Sequence, residues 1–454
     1  LTLTNAASYL LHRVNYQSSW QESSAKRDGG WSLERINPAL PCLGAENWTS
    51  CPVLPGGTPG QANSALQTTT DTDPPRLLTV FPEDPFVLRA TFSEGIDRSA
   101  AANPAAYKIE PALPVVSAAL SPDSRNAVLL LLATPLQAGV VYAVTVNAAL
   151  LDCSGNGAVS TDTAFVGLPE MPEPLDMVIN EVLFNPATGG SDFIELYNRS
   201  GKIFNLKDFF IGNFSGTTNG LYIGIPRLFL PGQYLVFSPS PADIEMRFAQ
   251  AQTNFLLNLS LPSLADDAGN VTLLWIKDGV TVTIDSFDYV DDMHNALFSS
   301  SDREGVSLER IRTEGPSNDP TNWTSAAQSA GGSGTPTRPN SQRLAQFSGS
   351  DLITLNPARL SPDFDGYEDF LNIEYAVPGP GYAATIAIYD SQGLPVKRLA
   401  RQELIGTTGA LRWDGDLDDG TLARPGIYIL FLEIFSPQGD VRREKKPFAV
   451  VQSF

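Results

Sequence analysis

An acidic turn near the C-terminus carries residue types that bind a hard cation. Asp363, Asp365 and Asp369 surround Gly366 with the spacing i, i+2, i+6. Calcium takes roughly six to eight oxygen ligands from a compact turn, and a glycine lets the backbone bend so that a carbonyl oxygen joins them. The pattern makes calcium a candidate cofactor of this chain. An acidic turn that only hydrogen-bonds its own backbone is the alternative.

The three cysteines form no CxxC pair, which argues against a zinc ribbon and against thioredoxin chemistry. Cys42 and Cys51 have eight residues between them. In an oxidising compartment this spacing predicts a short-range disulfide, with two free thiols as the alternative. Cys153 is left over, and we expect it to be a buried, unpaired side chain.

Residue counts exclude several functional classes. The 454 residues include two histidines, His12 and His294, so a Ser-His-Asp triad or a histidine-rich metal centre is disfavoured. The 30 basic and 50 acidic residues give a net charge of −20, which disfavours nucleic acid and anionic membrane surfaces as partners. No segment approaches the roughly 20 apolar residues of a membrane-spanning helix. We therefore expect no catalytic residues, no nucleic-acid partner and no membrane insertion.

Short apolar runs interrupted by Gly, Pro, Asn and Asp predict an all-β chain of tandem Ig-like antiparallel β-sandwiches. The strands that this pattern predicts include residues 142–146, 271–276, 385–389 and 427–432. One short helix is predicted at residues 241–250, with a proline at its start.

An internal repeat organises the chain. Two blocks recur at an offset of 275: residues 32–36 (Ser-Leu-Glu-Arg-Ile) as 307–311, and 47–50 (Asn-Trp-Thr-Ser) as 322–325. Two more recur at an offset of 277: residues 57–59 (Gly-Thr-Pro) as 334–336, and 63–64 (Asn-Ser) as 340–341. Polar and Pro-rich linkers then separate four predicted segments, 1–66, 71–168, 175–342 and 346–454.

The segment 175–342 resembles the lamin-tail domain, an Ig-like sandwich found in bacterial secreted proteins and in nuclear lamins. The residues that carry the resemblance are 178–182 (Val-Ile-Asn-Glu-Val), 193–198 (Phe-Ile-Glu-Leu-Tyr-Asn), 230–236 (Leu-Pro-Gly-Gln-Tyr-Leu-Val) and the two repeat blocks. On the predicted strand 193–198, Glu195 is expected to hold a neighbouring loop rather than to perform chemistry.

Two further segments resemble other secreted modules. Residues 92–94 (Phe-Ser-Glu), 152 (Asp) and 155–156 (Gly-Asn) make segment 71–168 similar to the bacterial Ig-like domain of the S-layer type. Residues 361–366 (Ser-Pro-Asp-Phe-Asp-Gly), 413–415 (Trp-Asp-Gly) and 425–428 (Pro-Gly-Ile-Tyr) make segment 346–454 resemble the Ig-like module of flagellar hook-capping proteins. The latter is common at the C-termini of secreted Bacteroidetes-type proteins.

The first segment matches only the end of the repeat unit. Residues 1–3 align with 271–273, so the 95 residues of 176–270 have no counterpart in it. We expect strands around Leu1, Leu3 and Val14 to lack partners and to dock on another copy of the chain or on another surface protein.

Two functions are compatible with these features. The first is a non-enzymatic, secreted structural or adhesive protein, a repeating subunit of an extracellular fibre or bacterial cell-surface assembly. The second is a set of C-terminal accessory modules of a larger secreted hydrolase or nuclease, whose catalytic domain lies upstream of Leu1.

Overall fold

Strands form most of the regular structure, as the sequence predicted, and the all-β fold of Ig-like sandwiches is confirmed. The computed structural model describes residues 1–6, 10–40, 44–67, 71–213, 219–328, 332–344, 351–363 and 365–451. The chain divides into two units, Leu1–Pro169 and Glu170–Phe454. Every sheet in the described ranges draws its strands from one of the four predicted segments.

The first unit begins with two small hairpins and continues with a sandwich. The hairpin strands are β1 (Thr2–Thr4), β2 (Leu10–Arg13), β3 (Leu33–Arg35) and β4 (Trp48–Ser50). The sandwich strands are β5 (Leu77–Asp84), β6 (Val87–Phe92), β7 (Tyr107–Glu110), β8 (Val115–Leu120), β9 (Ala127–Leu132), β10 (Tyr142–Val146) and β11 (Thr163–Val166). The sandwich packs a sheet of order β5-β6-β9-β8 against one of order β11-β10-β7. The helices are α1 (Ser24–Arg27) and α2 (Arg98–Ala101).

The second unit contains two sandwiches. Its first strands are β12 (Met177–Leu183), β13 (Phe193–Asn198), β14 (Phe204–Asn205), β15 (Phe209–Asn213), β16 (Asn219–Tyr222), β17 (Leu228–Phe229), β18 (Tyr234–Ser238), β19 (Leu256–Asn258), β20 (Ala268–Lys277), β21 (Val280–Val290), β22 (Leu308–Arg310) and β23 (Trp323–Ser325). They form a six-stranded sheet of order β19-β18-β13-β12-β22-β23, a four-stranded sheet of order β16-β15-β20-β21 and the small pair β14-β17. We call this sandwich the complete module, because it contains the full repeat unit.

The last sandwich consists of a five-stranded and a three-stranded sheet, and we call it the C-terminal module. Its strands are β24 (Ile353–Asn356), β25 (Arg359–Leu360), β26 (Leu371–Ala376), β27 (Ala383–Tyr389), β28 (Pro395–Leu404), β29 (Thr408–Trp413), β30 (Gly426–Phe435) and β31 (Val441–Val450). The complete module joins it through hydrogen bonds. The Gln342 side chain donates to Ile405 O (3.1 Å) and accepts from Gly381 N (2.8 Å), and Thr407 N donates to Ser341 O (2.8 Å).

Local sequence explains the clearest elements. Asp278 and Gly279, both with positive φ, form the two-residue turn between β20 and β21, which is the turn that Asp-Gly favours in hairpins. Helix α3 (Pro241–Arg247) begins at a proline, as predicted, but ends three residues earlier than expected. An ion pair between Asp243 and Arg247 (2.7 Å) links successive turns of this helix. None of the helices among the described residues is long and apolar enough to cross a membrane.

The short helical turns are 3-10 helices, and most lie between a strand and a loop. Their bounds are Ser18–Trp20, Ala45–Asn47, Pro104–Ala106, Leu206–Asp208, Thr253–Phe255, Asp291–Met293, Ser300–Asp302 and Pro320–Asn322. Ala45–Asn47 immediately precedes β4, and Pro320–Asn322 immediately precedes β23. The internal repeat therefore includes these two helical turns.

The predicted disulfide between Cys42 and Cys51 is wrong. Cys51 is a free, fully buried thiol whose Sγ lies 3.3 Å from both Val53 O and Ser64 Oγ. Cys153 is disulfide-bonded and half-buried, although it was expected to be unpaired and buried. Cys42 lies outside the described residues. The prediction failed because the spacing of two cysteines along the chain does not give the directions of their side chains. Cys51 follows β4, and its side chain points toward Ser64.

We predict that chemical labelling will separate Cys51 from Cys153. After denaturation without reductant, iodoacetamide should modify Cys51 and leave Cys153 unmodified, because only the first has a free thiol. Reduction before labelling is the control, and it should make both cysteines reactive. A disulfide-linked peptide that contains Cys51, detected by mass spectrometry, would contradict this assignment.

Candidate functional site

Three glutamates lie fully buried on neighbouring strands of the complete module. Glu181 on β12 is the cross-strand neighbour of Glu195 on β13 and of Glu309 on β22. A buried carboxyl group destabilises a fold unless hydrogen bonds satisfy it. The complete module therefore needs hydrogen-bond donors around these three carboxyl groups.

The donors to these carboxyl groups come largely from the closing segment of the repeat, residues 332–344. Thr335 N donates to Glu181 (2.8 Å), and Thr337 N donates to Glu195 (2.5 Å). Glu309 accepts from Thr335 Oγ1 (2.6 Å), Ser341 Oγ (2.8 Å) and Gln342 N (2.8 Å). Glu195 therefore holds a loop, as the sequence predicted, and all three glutamates fasten the closing segment across the sheet.

Burial raises the pKa values of this cluster. Burial first, and then the charge of Glu309, raise the pKa of Glu181 to about 8. Burial and the charge of Glu181 raise the pKa of Glu195, and burial raises that of Glu309. At neutral pH the folded protein therefore keeps protons on this cluster that the unfolded chain releases.

The N-terminal segment, residues 1–66, repeats the Glu309 site with Glu34. Glu34 accepts from Thr58 Oγ1 (2.6 Å), Ser64 Oγ (2.8 Å) and Ala65 N (2.9 Å), the counterparts of Thr335, Ser341 and Gln342. The strand pairing is also repeated. Glu34 lies opposite Thr49 as Glu309 lies opposite Thr324. The repeat found in the sequence is thus a repeat of hydrogen bonds as well.

The two asparagine-tryptophan blocks also have matching roles. Asn47 Oδ1 accepts from Asn37 N (2.7 Å), and Asn322 Oδ1 accepts from Arg312 N (2.9 Å). Trp323 is buried and stacks on Phe287 with ring centroids 3.7 Å apart, so it is part of the core. Its counterpart Trp48 is only half-buried, because the N-terminal segment has fewer strands around it.

Glu34 differs from Glu309 in its electrostatic environment. Burial acts to raise the pKa of Glu34, but hydrogen bonds from Thr58, Ala65 and Ser64 outweigh it and lower the pKa to about 2. Counterparts of Glu181 and Glu195 are missing from residues 1–66, because they belong to the strands without counterpart. With fewer strands packed around Glu34, its hydrogen bonds outweigh burial and stabilise the ionised form.

The predicted assembly residues Leu1, Leu3 and Val14 lie in the first hairpin. Our expectation that these strands lack partners is wrong in part, because β1 pairs with β2, and the backbones of Leu1 and Val14 exchange hydrogen bonds of 2.8 and 2.9 Å. The outer edge of β1 has no strand on it among the described residues. In the complete module β15 lies on the equivalent edge of β20.

Two apolar side chains of the first hairpin are far more exposed than their counterparts in the complete module. Leu1 is 82% and Leu3 59% exposed, whereas the aligned Val271 and Leu273 are 1% and 0% exposed. Among the described residues, the N-terminal segment therefore forms part of a sandwich, which we call the half-sandwich, with an unpaired strand edge and exposed apolar side chains.

The predicted calcium ligands lie together in the C-terminal module. Asp363, Asp365 and Asp369 each place a carboxylate oxygen within 4.8 Å of the others. Asp369 also accepts hydrogen bonds from the backbone N–H groups of Asp365 (3.1 Å) and Gly366 (2.8 Å). These contacts fit the backbone-bonded alternative as well, so calcium binding stays a prediction.

A second acidic group was not predicted as a site. Asp71, Glu94 and Asp152 bring carboxylate oxygens within 4.8 Å of one another, and burial, followed by the charges of Asp71 and Asp152, raises the pKa of Glu94 to about 7. Asn156 Nδ2 donates to Asp152 (2.8 Å) and to Asp71 O (3.3 Å). Glu94, Asp152 and Asn156 were recognised only as signature residues. In the structure these residues hold Asp71 of the linker against the sandwich through hydrogen bonds from Asn156 and with Glu94.

Comparison with known proteins identifies one domain. Residues 67–166 match the family described as bacterial Ig-like domain, which confirms the resemblance predicted for residues 71–168. No curated protein matches the chain. The match covers less than half of the chain and therefore describes this domain alone.

Several solved structures match parts of the chain. The N-terminal part of the bacterial S-layer protein SbsC is 14% identical, with a TM-score of 0.20, over 48% of this chain and 44% of that chain. A DUF4876 family protein from Bacteroides thetaiotaomicron is 13% identical, with a TM-score of 0.22, over 50% of this chain and 75% of that one. FlgD from P. aeruginosa is 18% identical, with a TM-score of 0.16, over 18% of this chain and 62% of that one. The TM-scores are too low for these likenesses to carry an argument about function.

We predict that the stability of the complete module falls as the pH rises from about 4.5 to 8. The folded-state pKa of Glu181 lies above its ordinary value of 4.5, so the folded protein binds more protons than the unfolded chain in this window. Glu181→Gln should remove up to about 1.4 kcal/mol per pH unit of that slope. Urea unfolding at several pH values measures it, with the exposed Glu245→Gln as the control. An unchanged slope in E181Q would contradict the assignment.

The calcium prediction is tested by thermal unfolding of the C-terminal module. At about one hundred times its Kd, calcium should stabilise the module by about 2.7 kcal/mol, because it binds the folded state alone. Excess chelator should reverse this shift, and Asp365→Asn should abolish it. Asp419→Asn, in a separate acidic loop, serves as the control. If chelator leaves the melting temperature of the wild-type chain unchanged, the turn is stabilised by its backbone hydrogen bonds alone.

Proposed function

We propose that this chain is a non-enzymatic structural or adhesive protein of the bacterial cell surface, and that it is a repeating subunit of an extracellular fibre or surface assembly. Secretion is supported by the bacterial Ig-like domain at residues 67–166 and by the disulfide at Cys153, since disulfides persist in oxidising compartments. The net charge of −20 favours solubility rather than binding to nucleic acid.

The observation that carries the assembly part of the proposal is the half-sandwich at residues 1–66. It repeats the hydrogen bonds of the complete module around Glu34 but leaves Leu1 and Leu3 exposed. An exposed strand edge with an apolar face is a ready site for pairing with another strand. The lamin-tail resemblance of the complete module supports the same classification, since such domains occur in bacterial secreted proteins.

The proposal is tested on cells that produce the protein. Protease treatment of intact cells should remove the chain, while a cytoplasmic marker protein stays intact. Native electrophoresis of the surface fraction should show the protein in species several times larger than its denatured polypeptide from the same fraction. A chain found only inside intact cells would overturn the surface assignment. Recovery of the chain only as part of a polypeptide with hydrolase or nuclease activity would favour the accessory-module function instead.

A further inference from the structure

The outer face of the five-stranded sheet in the C-terminal module combines aromatic and basic side chains. Side chains alternate along each strand, and those that point inward belong to the apolar core, among them Ile388, Leu430 and Leu432. The alternate residues of the same strands therefore point away from the core. The register of the strands places these outward residues in rows across the sheet.

Three rows cross the sheet from β31 through β30 and β27 to β28. They are Arg443, Glu433, Thr385 and Arg401; Lys445, Phe431, Ala387 and Arg398; and Pro447, Ile429, Tyr389 and Pro395. The basic residues therefore lie on the two flanking strands, and the aromatic rings lie on the two central strands. We call this set of residues the basic-aromatic face.

The aromatic side chains of this face keep accessible surface. Tyr389 and Phe431 are both half-buried, and their rings lie at 86° to each other with centroids 6.0 Å apart. Lys445 Nζ lies 5.8 Å from the centroid of the Phe431 ring. Rings held in place by a cation and by each other present a fixed apolar surface, on which the apolar side of a sugar ring can stack.

Most cations of the basic-aromatic face have no carboxylate partner. Arg443 pairs with Glu433 (2.5 Å). Arg398, Arg401 and Lys445 are exposed, and within the described part of the chain no carboxylate lies at ion-pair distance from their side chains. The chain has 50 acidic and 30 basic residues, so these three cations produce a local positive field on a negative protein.

The other side of the same two strands carries paired cations. Lys397 on β28 pairs with Asp416, and Lys446 on β31 pairs with Asp351 (2.7 Å). These lysines are next to Arg398 and Lys445 in the sequence but point to the opposite side of the sheet. The chain thus supplies carboxylates to the cations of one side only, and the outer side offers its cations to an external anion.

We propose that the basic-aromatic face binds a linear acidic polysaccharide that lies along the strands. Its sugar rings stack on Phe431 and Tyr389, and its carboxylate or sulfate groups pair with Arg398, Arg401 and Lys445. A guanidinium group binds an oxyanion through two parallel hydrogen bonds, which fixes the orientation of the ligand. This inference rests on the adhesive surface role proposed above and names the class of ligand.

The size of the face favours a thin polymer over a folded acidic protein. Adjacent strands lie about 4.8 Å apart and every second residue about 6.8 Å along a strand, so the face covers roughly 200 Å². A stable protein interface needs about 800 Å² on each partner. A protein of that footprint would also cover Asp390 and Asp440, in the turns at the two ends of the face, and these carboxylates would repel it.

The experiment measures binding of the purified whole chain to polygalacturonate and to dextran sulfate by titration calorimetry. Two further polymers each remove one feature of the ligand. Fully methyl-esterified polygalacturonate keeps the sugar rings without the charge, and poly-L-glutamate keeps the carboxylates without the rings. We expect polygalacturonate, dextran sulfate or both to bind at least tenfold more tightly than either of these two, and added salt should weaken the binding.

Substitution of two cations tests the electrostatic part of recognition. The double variant Arg398→Gln with Lys445→Gln should bind the acidic polysaccharide roughly tenfold more weakly, because two charge contacts are lost. Arg98→Gln with Arg442→Gln is the matched control. It removes the same number of charges from exposed positions outside the face, and it should bind as the wild-type chain does.

Substitution of an aromatic residue tests the sugar-stacking part. Tyr389→Ala should weaken binding of the polysaccharide roughly tenfold without changing the weaker binding of poly-L-glutamate. Tyr222→Ala is the control, because it removes an exposed tyrosine from a similar aromatic pair with Phe210 in the complete module. The charge variants alter exposed residues, so they remain informative if Y389A fails to fold.

Three results would overturn the inference. The first is no binding of either acidic polysaccharide, and the second is equally tight binding of poly-L-glutamate. The third is self-association of the wild-type chain in sedimentation velocity that the Arg398 and Lys445 variant abolishes, since the occupant of the face would then be a second copy. Cell-surface location is measured separately on intact cells, so its failure and the failure of this inference are distinguishable.

Discussion

The repeat unit depends on one buried carboxylate, that of the glutamate in the Ser-Leu-Glu-Arg block. A carboxylate removed from water needs several donors, and the closing segment supplies them as a threonine hydroxyl, a serine hydroxyl and a backbone N–H. The same three kinds of donor surround Glu34. The spacing that the two copies share is therefore the spacing needed to bring those donors back to the glutamate. This explains why blocks far apart in each copy keep their offsets so closely.

The two copies also show that the strands packed around a motif determine the pKa values of its side chains. Glu34 and Glu309 have equivalent hydrogen bonds, yet the pKa of the first is lowered and that of the second is raised. The difference comes from β12 and β13, which complete the burial of Glu309, and this burial raises its pKa. The open edge of the N-terminal segment is thus visible in its polar groups as well as in its exposed leucines.

Much of the fold was predictable, because alternation, turn residues and the repeat are local or sequential signals. The strand Tyr142–Val146 is confirmed residue for residue, and the helix at Pro241 is confirmed apart from its end. The site was less predictable. Glu195 was correctly expected to hold a loop, but nothing in the local sequence shows that Glu181, Glu195 and Glu309 converge, since pairing between strands far apart in the chain decides it. The disulfide prediction failed for a similar reason, because spacing along the chain does not give the direction of the Cys51 side chain.

The closing segment also links the repeat unit to the C-terminal module. Gln342 gives its backbone N–H to Glu309, and this fixes the residue so that its side-chain amide reaches Ile405 and Gly381 of that module. At the matching position the N-terminal segment has Ala65, which gives the same backbone hydrogen bond to Glu34 but has no amide to extend it. One hydrogen-bonded glutamate therefore closes the sandwich in both copies, and a single side chain on its donor determines whether that closure also joins the next module in this way.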